Sequence, residues 1–262
     1  LITLKEKVLK EEIINIKSIE NNNIDTYVVC PDNDGPFPIV FLLMDAPGIR
    51  QELYDMASRI ASCGYYVLLP NLYYRTSKKF EWNKPNLDFI QGHTPEESRN
   101  LMFEHMDTLS NSRVLQDIKD LLIFCKEDNN AGKGPVGIVG YCMSGPFGFY
   151  TAAKLNERVQ AAASIHGVKL ITNEADSPHL FANEIKGELY FGCAEKDSYA
   201  PLEMIKKLED VMSKTNVRHQ IEVFSGTGHG FAFPNRGLLY SRKDAETHWY
   251  RILSLFDRNL KT

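Results

Sequence analysis

The sequence has no surplus of positive charge: 30 Lys and Arg residues face 34 Asp and Glu, leaving a net charge of -4 at pH 7. Nucleic-acid binders gather basic residues into stripes or patches, so no nucleic-acid partner is expected. Paired cysteines are missing too. The 5 thiols (Cys30, Cys63, Cys125, Cys142 and Cys193) are scattered and show no C-x-x-C spacing. That pattern argues against a zinc site or a disulfide framework, and for free thiols in a reducing cytoplasm. No stretch approaches the ~18 apolar residues of a membrane-spanning helix, and the opening LITLKEKVLKEE is too charged for the core of a signal peptide. No membrane partner is expected. Linkers, internal repeats and low-complexity tracts are also lacking, apart from the asparagine turn at 21–23.

What remains is an ordinary globular composition of 262 residues, 43% hydrophobic and 24% charged, enough apolar material for one large core. The expectation is a single domain over 1–262. EEIINIKSI (11–19) alternates apolar and polar, and DTYVVCP (25–31) follows the asparagine turn, which reads as an antiparallel hairpin. PFPIVFLLMD (36–45) is continuously apolar, as a strand buried on both faces is. A helix over 49–64 follows, stopped by Gly64, then a buried strand over 65–71. The alternation continues with a helix at 112–127, a strand at 136–140, a helix at 143–156 and a strand at 159–167. A strand at 187–197, a helix at 201–213, a strand at 218–225 and a helix at 242–260 complete it. Strands alternating with helices imply a mostly parallel sheet covered on both faces. Residues 76–110, with Trp82, Phe89, His93, Glu96, Glu97 and Arg99, show no clean period and read as an excursion over the sheet edge.

GIVGYCMSGPFGF (137–149) concentrates the chemistry. A strand runs into a turn of the form small-x-nucleophile-x-small: Gly140, Tyr141, Cys142, Met143, Ser144. Flanking Cβ atoms would collide in so strained a backbone, which is why small residues bracket a nucleophile there. Ser144 is the poorer candidate, because Pro146 would occupy its second small position. A thiol at a helix N-terminus also feels the positive end of the dipole, which favours thiolate. A lone cysteine is ordinarily just a small buried hydrophobe, and Cys30, Cys63 and Cys125 are read that way. Cys142 differs because partners follow in the chain order of an α/β-hydrolase: nucleophile, acid, histidine. Asp197 ends the strand ELYFGCAEKD, and His229 sits in the glycine-rich loop SGTGHGF after strand QIEVFS. His166, at another strand end, is a pocket candidate, while His93, His105, His179, His219 and His248 read as surface or packing residues.

GYCMSG, the Asp of AEKD and the His of GTGHGFAFP resemble the motifs of the dienelactone hydrolase family, cysteine-dependent α/β-hydrolases, as does LYYR after the fourth strand. The resemblance runs over nearly the whole chain. It implies the α/β-hydrolase fold, a triad of Cys142, His229 and Asp197, and an oxyanion hole made by the backbone N–H groups of Ala46 and Met143. Two departures stand out. Family members carry a glutamate at the end of the third strand that meets the resting thiol, where this chain has the shorter Asp45. Dienelactone-cleaving members carry an arginine four residues after the histidine, where this chain has Phe233. Arg99 and Arg236 are the candidates to replace it, and with His166 and Phe233 they make up the candidate substrate contacts.

The expected activity is hydrolysis of a small ester, lactone or thioester through an acyl-enzyme, by a monomer or homodimer. This chemistry needs neither metal nor organic cofactor. A thiol-based pseudo-enzyme that responds to electrophiles or oxidants is the alternative from another class. A papain-like protease is disfavoured, because its CGSCW-type signature is absent and the cysteine lies mid-chain. A dinucleotide fingerprint is disfavoured because Gly137, Gly140 and Gly145 do not fit G-x-G-x-x-G.

Overall fold

Polar residues turn the chain between β1 (Leu9–Lys17) and β2 (Asn23–Pro31), which pair antiparallel from Leu9↔Pro31 to Lys17↔Asn23. A computed structural model describes residues 8–82 and 94–261. The continuous apolar runs form β3 (Phe37–Leu43), β4 (Tyr66–Pro70), β5 (Ala131–Tyr141), β6 (Val159–Ile165) and β7 (Glu188–Lys196), with β8 (His219–Gly228) at the far edge. All join one 8-stranded sheet in the order β1-β2-β4-β3-β5-β6-β7-β8. β2 meets β4 antiparallel, and every pairing from β4 to β8 is parallel. This is the α/β-hydrolase fold, with an antiparallel hairpin added at its N-terminal edge.

Among the described residues six α-helices accompany the strands: α1 (Gln51–Ser62), α2 (Pro95–Met106), α3 (Asn111–Glu127), α4 (Gly145–Lys154), α5 (Leu202–Met212) and α6 (Arg242–Leu260). Alternation along β5 shows how they divide. A Cβ on Gly137 would strike Phe256 and Leu260 of α6, while the next residue, Ile138, meets Gly148 of α4. Neighbouring strand residues point to opposite faces, so α6 and α4 cover opposite sides. α1 joins α6 through the Arg59–Glu246 pair, and α3 packs on α4. Between these layers Phe41, Phe149, Phe191 and Phe256 are fully buried, each contributing about 1.5–3 kcal/mol by leaving water.

The reading of 76–110 as aperiodic needs one correction. Phe89 and His93 lie outside the described residues, but Pro95–Met106 is a helix. Its start carries a capping box, with the Thr94 side chain accepting from Glu97 N–H and the Glu97 carboxylate accepting from Thr94 N–H. Only Ser98 and His105 of this helix are buried, so no apolar stripe advertises it.

β8 also runs past its expected end at 225 to Gly228. Ala194 pairs with Phe224, so unbroken pairing would set Lys196 opposite Gly226; an irregularity sets it opposite Gly228 instead. The Glu195 carboxylate holds the extra residues, accepting from the Ser225 hydroxyl and from Gly226 N–H. Asp197 and His229, the residues that follow this pair, are thereby brought level.

Candidate active site

β5 ends at Tyr141 and α4 begins at Gly145, so the residues between, a single 3-10 turn, must reverse the chain. Cys142 does this with φ +53°, a left-handed conformation that costs an L-residue about 1–2 kcal/mol. The turn is so tight that a Cβ on Gly140 would lie 2.1 Å from the Ser144 carbonyl oxygen. Ser144 is buried and its hydroxyl donates to the Met44 carbonyl at 2.5 Å, tying this corner to the end of β3.

The half-buried Cys142 sulfur lies 3.1 Å from His229 Nε2. On the other side of the ring, Nδ1 lies 2.7 Å from Asp197 Oδ2. An ionised carboxylate only accepts, so Nδ1 carries the proton. Asp197 Oδ1 accepts from the N–H groups of Tyr199 at 2.9 Å and Ala200 at 3.1 Å, which fixes the carboxylate's orientation. Burial alone would lower the His229 pKa, but the hydrogen bonds to Asp197 and Cys142 and their charges outweigh it and raise the ring to about 10. The three side chains thus form a continuous hydrogen-bonded chain at the carboxyl edge of the sheet, where ligands bind in open α/β folds.

Two backbone amides have their direction set by the bond that the preceding carbonyl makes. In a trans peptide the C=O and the following N–H point in opposite directions. The Cys142 carbonyl accepts from Val168 N–H at 3.1 Å, so the Met143 N–H is directed away from that contact. The Asp45 carbonyl accepts from Gly48 N–H at 3.1 Å, so the Ala46 N–H is directed out of its turn. The Ala46 N–H has no hydrogen-bond acceptor among the described residues.

Asp45 is 1% exposed and bonded to two guanidinium groups. Arg50 Nη1 donates to Oδ1 at 2.6 Å, and Arg236 Nη2 donates to Oδ2 at 2.8 Å. Burial pushes its pKa up, but the two arginines outweigh that and hold it below the usual carboxylate value. The expected role of Asp45 beside the thiol is therefore replaced by an ion-pair role. Buried Glu52 extends the network, accepting from Arg50 at 2.7 Å and, through its other oxygen, from Asn235 N–H at 2.8 Å. Sequence reasoning missed Arg50 and Glu52. Their signal was a cluster of charge, RQE, directly after a strand and turn that are otherwise apolar.

The proposed substrate contacts fare unevenly. Phe233 is 0% exposed, packed against Tyr141 and His166 with Arg50 stacked 5.1 Å from its centroid; it offers no surface to a substrate. His166 is also buried, its ring centroid 4.7 Å from that of His229, with both nitrogens unpaired among the described residues. It is a packing neighbour rather than a pocket wall. Arg99 is exposed on α2. Arg236 remains at the site, its side chain 27% exposed but tied to Asp45. Tyr199, which the sequence did not single out, is exposed with its ring 5.0 Å from His229. Beside Met143 opens a cleft of about 340 Å³ lined by Met106, Leu109, Phe147, Val168 and Lys169.

The model of the dienelactone hydrolase family matches residues 24–260. The chain belongs to that family. It is therefore a carboxylic ester hydrolase of the α/β-hydrolase type. A Synechocystis protein named "Putative carboxymethylenebutenolidase" is 27% identical over 259 residues, covering 97% of this chain and 98% of that one. Among solved structures, a "Putative Dienelactone Hydrolase" from Klebsiella pneumoniae superposes with a TM-score of 0.81 at 21% identity, covering 96% of this chain and 99% of that chain. The dienelactone hydrolase of Anabaena variabilis does so with a TM-score of 0.65 at 16% identity, with coverage of 96% and 99%. At these identities the structural likenesses speak for the fold.

Proposed function

We propose that this chain, folding as one domain over 1–262 in the cytoplasm, hydrolyses small neutral esters or lactones through an acyl-enzyme on Cys142. The observation that carries this reading is the 3.1 Å approach of Cys142 Sγ to His229 Nε2, with His229 Nδ1 anchored 2.7 Å from Asp197. The sulfur attacks the carbonyl carbon and a C–S bond forms, while the carbonyl oxygen takes up negative charge facing the Ala46 and Met143 N–H groups. His229 delivers the thiol proton to the departing alkoxide as the C–O bond breaks. Water, deprotonated by the same ring, then adds to the thioester, and the C–S bond breaks to release acid and free thiol. Asp197 keeps the productive tautomer and supports the imidazolium. Each oxyanion donor contributes about 3 kcal/mol in comparable hydrolases.

The preference for a neutral substrate rests on Arg236, whose guanidinium is engaged by Asp45, and on the burial of Phe233 where dienelactone-cleaving relatives carry arginine. An anionic lactone would have to take Arg236 from a buried carboxylate.

The test is hydrolysis of p-nitrophenyl acetate by the wild type and by Cys142→Ala, beside a panel of neutral lactones, anionic lactones and thioesters. The variant is expected to keep its far-UV circular dichroism and lose turnover. Turnover equal to wild type rejects the mechanism. Iodoacetamide labelling of Cys142 without any product burst points instead to the electrophile-responsive pseudo-enzyme.

A further inference from the structure

The motif Leu72-Tyr73-Tyr74-Arg75 stands at the end of β4, and the mechanism above leaves it unused. Tyr74 and Arg75 have a structural destination: Tyr74 Oη donates to Asp117 Oδ1 at 2.8 Å, and Arg75 bonds both oxygens of that carboxylate. Tyr73 goes elsewhere. It is wholly buried, and its hydroxyl donates to the Ala46 carbonyl at 2.9 Å while lying 3.2 Å from the Met143 sulfur. One hydroxyl therefore touches the two residues whose amides face the developing oxyanion. The carbonyl is the stronger acceptor and the thioether a weak one, so the proton belongs chiefly to Ala46.

We infer that Tyr73 is a positioning residue for the oxyanion hole, resting on the hydrolase reading given above. Ala46 joins two peptide planes. The upstream plane, which holds its N–H, is oriented by the Gly48 bond to the Asp45 carbonyl. The downstream plane ends at Pro47, which has no N–H of its own to donate, and the Tyr73 hydroxyl holds its carbonyl. With both planes fixed, rotation about the Ala46 backbone cannot swing the N–H off target. The hydroxyl is itself pinned: its ring stacks on His105 at 5.2 Å and meets Phe80 edge-on at 5.5 Å. His105 is anchored in turn through Nδ1 to the Thr76 hydroxyl at 2.8 Å. A donor preset in a water-excluded site stabilises charge without reorganising during reaction, and that presetting is what Tyr73 supplies.

The experiment compares wild type, Tyr73→Phe and, as a control, Tyr66→Phe, which removes a hydroxyl bonded to Asp128 at the opposite end of β4. Tyr73→Phe keeps the ring packing and deletes one hydrogen bond. Its kcat and kcat/KM for p-nitrophenyl acetate are expected to fall together by roughly three- to tenfold, the span of one neutral hydrogen bond. Alkylation of Cys142 by iodoacetamide builds no tetrahedral oxyanion, and its rate and pH profile are expected to match wild type. Tyr66→Phe is expected to keep wild-type kcat. Wild-type kcat in Tyr73→Phe overturns the inference, and so does an alkylation rate that falls in step with kcat, since that marks general loosening of the site. A wild type without any turnover overturns the hydrolase reading, and this inference with it.

Discussion

Arg236 Nη2 lies 2.8 Å from Oδ2 of the buried Asp45, and this ion pair joins the segment following His229 to the turn that carries Ala46. Glu52 reinforces the junction by binding Arg50 through one oxygen and the Asn235 N–H through the other. Two segments distant in sequence are thus locked together by one buried network of alternating charge. Buried ion pairs add little net stability when complete, but losing one partner strands the other in a low dielectric.

Asp45→Asn keeps the shape and removes the charge that Arg50 and Arg236 share, leaving Arg50 with Glu52 alone. A loss of about 3–5 kcal/mol is expected, read from urea midpoints. Arg236 is 27% exposed, so water can replace part of what Arg236→Ala removes from Asp45, and its loss should be near 1 kcal/mol. Equal losses in the two variants would contradict the network.

Asp197→Asn tests the tautomer. Oδ1 is held by two N–H donors, so the amide oxygen would settle there and turn its NH₂ toward His229 Nδ1. The ring would then carry its proton on Nε2, facing the sulfur. A kcat loss of about 10⁴-fold is expected with the fold intact; a loss below tenfold would show that the carboxylate does not set the tautomer.

At Gly140 a methyl group would sit 2.1 Å from the Ser144 carbonyl oxygen, whereas at Gly134 it would meet nothing within 4 Å. Gly140→Ala is expected to cost about 2 kcal/mol or more and to abolish turnover by moving Cys142. Gly134→Ala should stay within about 0.5 kcal/mol of wild type. Differential scanning calorimetry and the ester assay distinguish the two.

Stability should fall on both sides of neutrality. His229 is raised to about 10, so below its unfolded value near 6.5 its contribution is complete, and it is lost as pH climbs toward 10. His248 is buried, with Nδ1 bonded to the Ala245 carbonyl and Nε2 accepting from Tyr141 Oη at 2.9 Å. Burial outweighs the Ala245 bond and lowers it to about 3. Its contribution is present above 6.5 and lost as pH falls toward 3, and His166, also held well below its ordinary value by burial, acts with the same sign. Urea midpoints across pH 4–10 should flatten on the alkaline side in His229→Gln and become less steep on the acid side in His248→Gln.

Much of this protein is legible locally. Steric exclusion at Gly140 and the apolar runs of β3 to β7 are short-range properties, and together with the chain order of Cys142, Asp197 and His229 they suffice for the fold class and the candidate triad. α2 escaped because its burial is too sparse to leave a periodic trace, although Thr94-Pro95-Glu96-Glu97 spelled its start. Contacts between distant segments are another matter. That Arg236 would join the nearby Arg50 in claiming Asp45, and that Phe233 and His166 would be sealed from solvent, depends on which loops the sheet order sets side by side. So does the slip in β8 that brings His229 level with Asp197. Residue type states what a side chain can do; only packing chooses its partner, because competing hydrogen bonds and charges are settled by distances that no local pattern encodes.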